Sequence, residues 1–279
     1  NMSINISTNT AALRAGSYLA QNNAKLQTSF DRLASGKKLS SPIEDPGGLA
    51  VSMKLSASIN RLAGAQNNVQ NATSFLEVQD GMLDTVGRII DRMSELKGLA
   101  SQDPMKSEQD RASYNNEFKD LQVQLYAISQ QGFNGVSLFA NHTTNSDGVN
   151  TAAEAVFNGK DTLRSEDNTL TIFTSTEGSG GAKVSIFKSS LLSALTIGQD
   201  KTSNNAWSTA DNANTAIGGT DAATFASASI EDTLNLDQIS VGVITQALEN
   251  VSYLRSQNGG SQSRLAFNLE SLTQQKTNM

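Results

Sequence analysis

The chain has 279 residues, a net charge of −6 and no cysteine, and only 5 % of its residues are aromatic. Lys37-Lys38 is the longest basic run, which is too short to bind nucleic acid, and the missing cysteines exclude disulfides, thiolate metal sites and cysteine nucleophiles. No apolar run approaches the length of a membrane span, so we expect no membrane insertion, and the first residues show no cleavable signal peptide.

The first predicted helix runs from Ser7 to Leu33. Its apolar residues recur at spacings that place them on one face, and Gly36 suits its C-terminal end. The stretch SSPIEDPGG (40–48) follows. Its two prolines and its glycines predict a turn that separates this helix from the next.

Residues Leu49 to Ala100 carry the strongest pattern in the sequence. Apolar side chains recur every seven residues, and a second series follows three residues later. The first series is Leu55, Leu62, Val69, Leu76, Leu83 and Ile90, and the second is Ala65, Ala72, Val86 and Met93. This period predicts a helix about 75 Å long at ~1.5 Å per residue, packed with a left-handed supercoil.

After a break at Gln102-Asp103-Pro104, Ser107 begins another predicted helix. Its stripe is Tyr114, Phe118, Leu121, Leu125 and Ile128. The helix is expected to end at Gly132, and Phe133-Asn134-Gly135-Val136 predicts a tight turn.

Residues 141–232 lack this helical pattern. The segments LTIFTST (170–176) and AKVSIFK (182–188) predict a β-hairpin, and Gln199–Thr224 is interpreted as a loop. Helical spacing resumes at Asp237. One series is Ile244, Val251, Asn258, Leu265 and Leu272, and Asn258-Gly259-Gly260 is expected to be a weak point.

The predicted fold is therefore mainly α. An elongated antiparallel rod, a coiled-coil-like bundle of the N- and C-terminal helices, carries an inserted small β-rich outer domain at its far end. The predicted domains are an inner helical segment at 1–45, a helical rod domain at 46–140 with 233–279, and a variable outer domain at 141–232.

Several segments of this chain resemble bacterial flagellin, the filament subunit. They are SINISTNTAALRA (3–15), LASGKKLSSPIEDPGGLAVS (33–52), FLEVQDGMLDTVGRIIDRMSELKGLAS (75–101), QQGFNGVSLF (130–139) and LDQISVGVITQALENVSYLRSQNGGSQSRLAFNLESL (236–272). The resemblance covers roughly 1–140 and 234–279. Flagellins usually continue with a C-terminal helix that this chain is expected to lack.

The resemblance implies a secreted protein of the extracellular bacterial flagellum that polymerises with itself. Its implied partners are an export chaperone and the flagellar type III export apparatus. A hook–filament junction protein and a filament-borne binding module are the alternatives. The stripe of the first helix, formed by Leu13, Leu19, Leu26, Phe30 and Leu33, is expected to pack between subunits, because no matching C-terminal stretch is present.

The resemblance also implies recognition by flagellin-sensing Toll-like receptors of animals. The matching positions here are Arg92, Leu96 and Glu117. Arg92 and Leu96 share a helix face, and an Arg beside an apolar anchor is typical of binding hot spots. The simpler interpretation is that Arg92 and Glu117 form a solvated ion pair between two helices.

An enzyme is not expected, and neither a cofactor nor a metal site is predicted. His142 is the only histidine of the sequence, whereas a catalytic zinc site usually takes two or three. Gly178-Ser179-Gly180-Gly181 lacks the lysine and the helix start of a phosphate-binding loop, so we interpret it as a turn.

Overall fold

The architecture comes from a computed structural model that describes residues 10–36, 45–102, 105–140, 169–201, 207–209 and 222–279. The helices are α1 (Thr10–Ser35), α2 (Pro46–Gln102), α3 (Glu108–Ser129), α4 (Leu191–Ala194) and α5 (Val241–Thr277). The strands are β1 (Gly132–Phe133), β2 (Val136–Ser137), β3 (Thr169–Phe173), β4 (Lys183–Phe187), β5 (Thr196–Lys201), β6 (Trp207–Thr209) and β7 (Ala222–Thr224). The chain divides into two compact units, residues 1–61 with Met279 and residues 62–278.

The first unit contains α1 and the beginning of α2. Gly36 follows α1 with a φ of 63°, the left-handed conformation that commonly ends a helix and that glycine adopts without strain. The sequence placed the start of α2 at Leu49, but the helix begins at Pro46. Proline fits the first helical position because the backbone N–H it lacks would have no partner there. Asp45 accepts a hydrogen bond from the Gly48 N–H at 2.9 Å and caps this end.

In the second unit, α2 and α5 run antiparallel. Gln66 near one end contacts Thr273, and Asp80 further along α2 contacts Arg255. The predicted heptad residues of both helices are buried from Leu62 onwards, which confirms the two-seam pattern there. Leu55 is the exception, because it lies in the first unit and is 40 % exposed.

Helix α3 begins where the sequence predicted. Ser107 accepts a hydrogen bond from the Asp110 N–H and donates its own N–H to the Asp110 carboxylate, so the two residues form a capping box. The buried stripe includes Phe118, Leu125 and Ile128. The helix ends at Ser129, three residues before the predicted Gly132.

The predicted tight turn joins β1 to β2. Asn134 and Gly135 both have positive φ values, 50° and 79°. Two central residues of this kind give a two-residue hairpin whose twist matches that of its strands, and Asn-Gly is the usual pair.

Strands β3 and β4 form the predicted antiparallel hairpin, with Leu170 opposite Ile186. Ile186 is fully buried and belongs to the same hydrophobic core as the helices. Leu191, Leu195 and Phe225 join that core as well. The described part of residues 141–232 therefore packs onto the helical unit, while the domain boundaries given above stay a prediction.

The interpretation of Gln199–Thr224 as a loop is wrong for part of this segment. Strand β5 pairs with both β6 and β7 in an antiparallel sheet of order β6-β5-β7. Strands β6 and β7 have only three residues each, and β5 has a single pair of β-branched residues at its start, so none of them shows the run of roughly four to eight alternating residues by which strands are recognised in a sequence.

Candidate functional site

The apolar stripe of α1 is exposed along its whole length. This helix buries none of its residues. The five side chains predicted to pack between subunits are Leu13, Leu19, Leu26, Phe30 and Leu33, and they are between 58 % and 80 % exposed. Contiguous apolar surface of this kind is unusual on a soluble chain and marks an interaction surface.

Helix geometry refines which side chains form this surface. At about 100° per residue, Leu19, Phe30 and Leu33 all lie within roughly 40° of Leu26 around the helix axis. Leu13 lies about 140° away from Leu26 on the same reckoning. We therefore define the α1 stripe as Leu19, Leu26, Phe30 and Leu33, with Leu13 on another face of the helix.

Arg92 of α2 and Glu117 of α3 form a two-pronged ion pair across the second unit. The Arg92 Nε donates to Glu117 Oε1 at 2.7 Å, and its Nη2 donates to Glu117 Oε2 at 3.2 Å. Arg92 Nη1 also donates to Glu95 at 2.8 Å. The Arg92 and Glu117 side chains are 41 % and 42 % exposed, so a partner could reach the pair. The solvated ion pair expected from the sequence is present.

Leu96 does not accompany this pair at the surface. It is fully buried in the core, which is a correction to its expected role as an exposed apolar anchor. Spacing by four residues placed Arg92 and Leu96 on neighbouring positions of α2, but the long arginine extends to solvent whereas the leucine packs inwards. Leu96 therefore belongs to the core of the second unit.

Hydrogen bonds donated to carboxylates raise the pKa of the two bridging arginines. Those from Arg92 to Glu117, and then to Glu95, raise the pKa of Arg92, and the bond from Arg255 to Asp80 raises the pKa of Arg255. Arg255 Nε and Nη1 reach Asp80 and Asp84 at 3.0 and 2.9 Å. Both arginines link α2 to a neighbouring helix, α3 for Arg92 and α5 for Arg255.

Lys97 stands apart from these pairs. Burial lowers its pKa, and nearby Asp237 opposes this effect only in part. Its Nζ donates a hydrogen bond to the Leu236 carbonyl, in the segment that leads into α5. Asn115 and Gln122 of α3 hold the same segment through the backbone N–H groups of Leu236 and Leu234.

Sequence reasoning missed one buried polar cluster. Asn258 and Gln79 lie in the apolar seams of α5 and α2, and the Asn258 Nδ2 donates to Gln79 Oε1 at 2.6 Å. Asn258 is the polar member of its heptad series. Gln79 lies seven residues after Ala72 and seven before Val86, so it is the polar member of its own heptad series. One polar residue in each of two facing series is the signal in the sequence that pairs Gln79 with Asn258.

No group of acidic or histidine side chains in the described part of the chain could hold a metal ion. His142 lies outside the described residues. The glycine-rich segment at 178–181 forms a 3-10 turn between β3 and β4, as predicted. None of the described helices is both long enough and apolar enough to cross a bilayer.

A heptad core joined to an exposed apolar helix is typical of structural proteins that assemble through helices. Residues 6–144 match the family model of the bacterial flagellin N-terminal helical region. The chain belongs to the bacterial flagellin family. The mainly α fold with a small β region is confirmed, and the predicted location outside the cell, in the flagellum, follows from this membership.

Relatives in three bacteria illustrate the match. Flagellin A of Vibrio cholerae is 33 % identical over 129 residues, which are 46 % of this chain and 34 % of that protein. The flagellin of Listeria innocua is 25 % identical over 271 residues, covering 97 % of this chain and 81 % of that protein. A flagellar filament 30.7 kDa core protein of Treponema maltophilum is 33 % identical over 135 residues, which are 48 % and 47 % of the two chains.

Among solved structures, the crystal structure of Bacillus cereus flagellin aligns with a TM-score of 0.45 and 19 % identity, covering 77 % of this chain and 93 % of that one. The matched region spans only 34 % of the length of the Vibrio protein.

Proposed function

We propose that the chain is a non-enzymatic structural subunit that polymerises with itself into the bacterial flagellar filament and so serves motility. The α1 stripe is the observation that carries this proposal. Leu19, Leu26 and Phe30 are 64 %, 58 % and 61 % exposed, and Leu33 is 80 % exposed. A helix with no buried residue has little packing energy to hold it in place, and a second subunit that covered the stripe would supply it.

Burial of this surface would contribute several kcal/mol to assembly in a polymer. Burying a large apolar side chain completely stabilises by about 1.5–3 kcal/mol. These side chains have already lost part of their exposure, so we assign about 1 kcal/mol to each, or roughly 4 kcal/mol per subunit. Association costs about 4–15 kcal/mol in lost translational and rotational freedom, so burial of the stripe offsets about the lower end of this cost and other contacts between subunits supply the rest.

Electron microscopy of the chain, alone and with short filament seeds of a related flagellin, tests the proposal. We expect long filaments to grow from the seeds. A junction protein would instead bind to the seed ends and stop there, and a binding module would decorate the sides without elongation. Either of these results would contradict the filament proposal.

The route to the filament is a second part of the proposal. We assign an export chaperone and the flagellar type III export apparatus as partners, on the basis of family membership. A chain with no cysteine requires no disulfide reduction before it is threaded as an unfolded polypeptide. In a flagellated host, the chain should reach the medium or the filament, and disabling the export apparatus should retain it in the cell.

A host receptor is the third proposed partner. We propose that an animal flagellin-sensing Toll-like receptor binds the exposed Arg92–Glu117 pair, with Leu96 buried in the core one turn further along α2. The Arg92 guanidinium is a planar, charged group of hydrogen-bond donors held between two helices, and such a group is suited to binding charged groups of a partner. Receptor-reporter cells should respond less to the Arg92→Ala variant.

The matched control for the receptor test is Arg88→Ala. Arg88 lies one turn earlier on α2, has a side chain that is 75 % exposed, and forms an ion pair with Asp84 of the same helix at 3.3 Å. Equal signals from the two variants would contradict the receptor proposal without affecting the filament proposal.

A further inference from the structure

One layer of the α2–α5 seam is polar. The seam positions of α2 on either side of Gln79 hold Ala72 and Val86, and those of α5 on either side of Asn258 hold Val251 and Leu265. All six residues are buried, and Gln79 and Asn258 are 0 % and 3 % exposed. The two amides therefore replace one apolar layer of the seam at the level where they meet.

Hydrogen bonds satisfy both amides completely. Asn258 Nδ2 donates to Gln79 Oε1 at 2.6 Å and to the Leu76 carbonyl at 3.0 Å, and its Oδ1 accepts from Gln262 at 2.6 Å. Gln79 Nε2 donates to the Leu138 carbonyl at 2.6 Å and to the Phe187 carbonyl at 3.3 Å. The network thus joins α5, α2 and the ends of both hairpins through groups that have no spare donor.

Two glycines follow this layer immediately. Gly259 and Gly260 lie in the interior of α5, and a Cβ added to either would meet no atom of the described residues within 4 Å. Packing does not require glycine at these positions. Each glycine nevertheless weakens the helix relative to alanine, because it loses more backbone freedom on folding.

We propose that residues 258–260 form a latched hinge in α5. The glycine pair is the hinge, because it makes this turn the easiest place for the helix to open. The Asn258 amide is the latch, because it holds the turn to Gln79 and the Leu76 carbonyl of α2. Opening the latch leaves Gln79 Oε1 without its donor, while Gln79 Nε2 keeps its hydrogen bonds to the Leu138 and Phe187 carbonyls, so α5 bends without releasing the hairpins. This device requires only the folded monomer and does not depend on the proposed polymerisation.

Amide hydrogen exchange of the monomeric 279-residue chain tests the hinge, with residues 255–264 as the reporting segment. Gly259→Ala/Gly260→Ala should slow exchange there by about tenfold, since each alanine favours the closed helix two- to fivefold. Asn258→Ala should accelerate exchange in the same segment by at least about tenfold, because it also leaves the Gln79 oxygen buried without a donor.

Asn250→Ala is the matched control. Asn250 is also a buried asparagine of α5, donates to the Ala194 carbonyl at 3.1 Å and accepts from Gln246, but has no neighbouring glycine pair. Its removal should lower global stability without selective acceleration at 255–264. Adding the two alanines to Asn258→Ala should reverse most of the local acceleration.

The inference is overturned if Asn258→Ala accelerates exchange at 255–264 no more than Asn250→Ala does after correction for global stability. It is also overturned if the alanine pair leaves exchange in this segment unchanged, since the glycines would then not be the point of opening.

Discussion

Truncation of Leu83 gives a quantitative test of the α2–α5 core. Leu83 is fully buried, and Leu→Ala removes side-chain carbon worth about 2.4 kcal/mol at roughly 0.8 kcal/mol per methylene equivalent. The cavity left behind adds to this loss, so we expect the free energy of unfolding to fall by about 3 kcal/mol. With a urea dependence of about 2 kcal/mol per molar, the unfolding midpoint should fall by roughly 1.5 M.

Urea titration followed by far-ultraviolet circular dichroism measures this shift. Leu55→Ala is the control, because Leu55 belongs to the same heptad series of the same helix and undergoes the same chemical change. It is 40 % exposed, so its truncation should cost less than about 1 kcal/mol. Equal midpoint shifts for the two variants would refute the assignment of the core to the part of α2 that begins at Leu62.

Three further predictions concern single contacts. Arg92→Glu should lower the melting temperature, because it replaces the ion pair with Glu117 by two like charges. Adding Glu117→Arg should recover most of the loss, since the ion pair is then restored with reversed polarity. If the melting temperature does not recover, the pair does not stabilise the fold. Burial lowers the pKa of Lys97 in the folded state, so between that lowered pKa and ~10.5 the unfolded chain binds more protons than the folded one. The free energy of unfolding should therefore rise with pH across this range. Urea titrations at several pH values should show that Lys97→Met removes this pH dependence. Gly135→Ala should cost about 1 kcal/mol in the same titrations, since its φ of 79° strains any side chain.

The helices could be predicted because one period determines both the helix and its buried face. A series spaced by seven residues continues to face one partner along a supercoiled helix, so Val69 and Val251 were correctly assigned to seams. The same logic failed at Leu96. Spacing by four residues shows that two side chains are neighbours, but it does not show which of them the adjacent helix covers.

The β region was less predictable because its contacts join distant parts of the chain. The hairpin of β3 and β4 was found from its own residues, whereas β5 pairs with β7 across a separation that brings Thr196 opposite Thr224. Local alternation cannot reveal such pairing. The Gln79–Asn258 layer was missed for a related reason, since each amide looks like an isolated defect until the two helices are brought together.

The critical concentration for seeded assembly, measured by sedimentation, tests the central claim most directly. We predict that Leu26→Ser/Phe30→Ser raises it about thirtyfold, because two stripe side chains contribute roughly 2 kcal/mol. Leu13→Ser, which changes a side chain of similar exposure on another face of α1, should have a smaller effect. A critical concentration unchanged by the double substitution would contradict assembly through the α1 stripe.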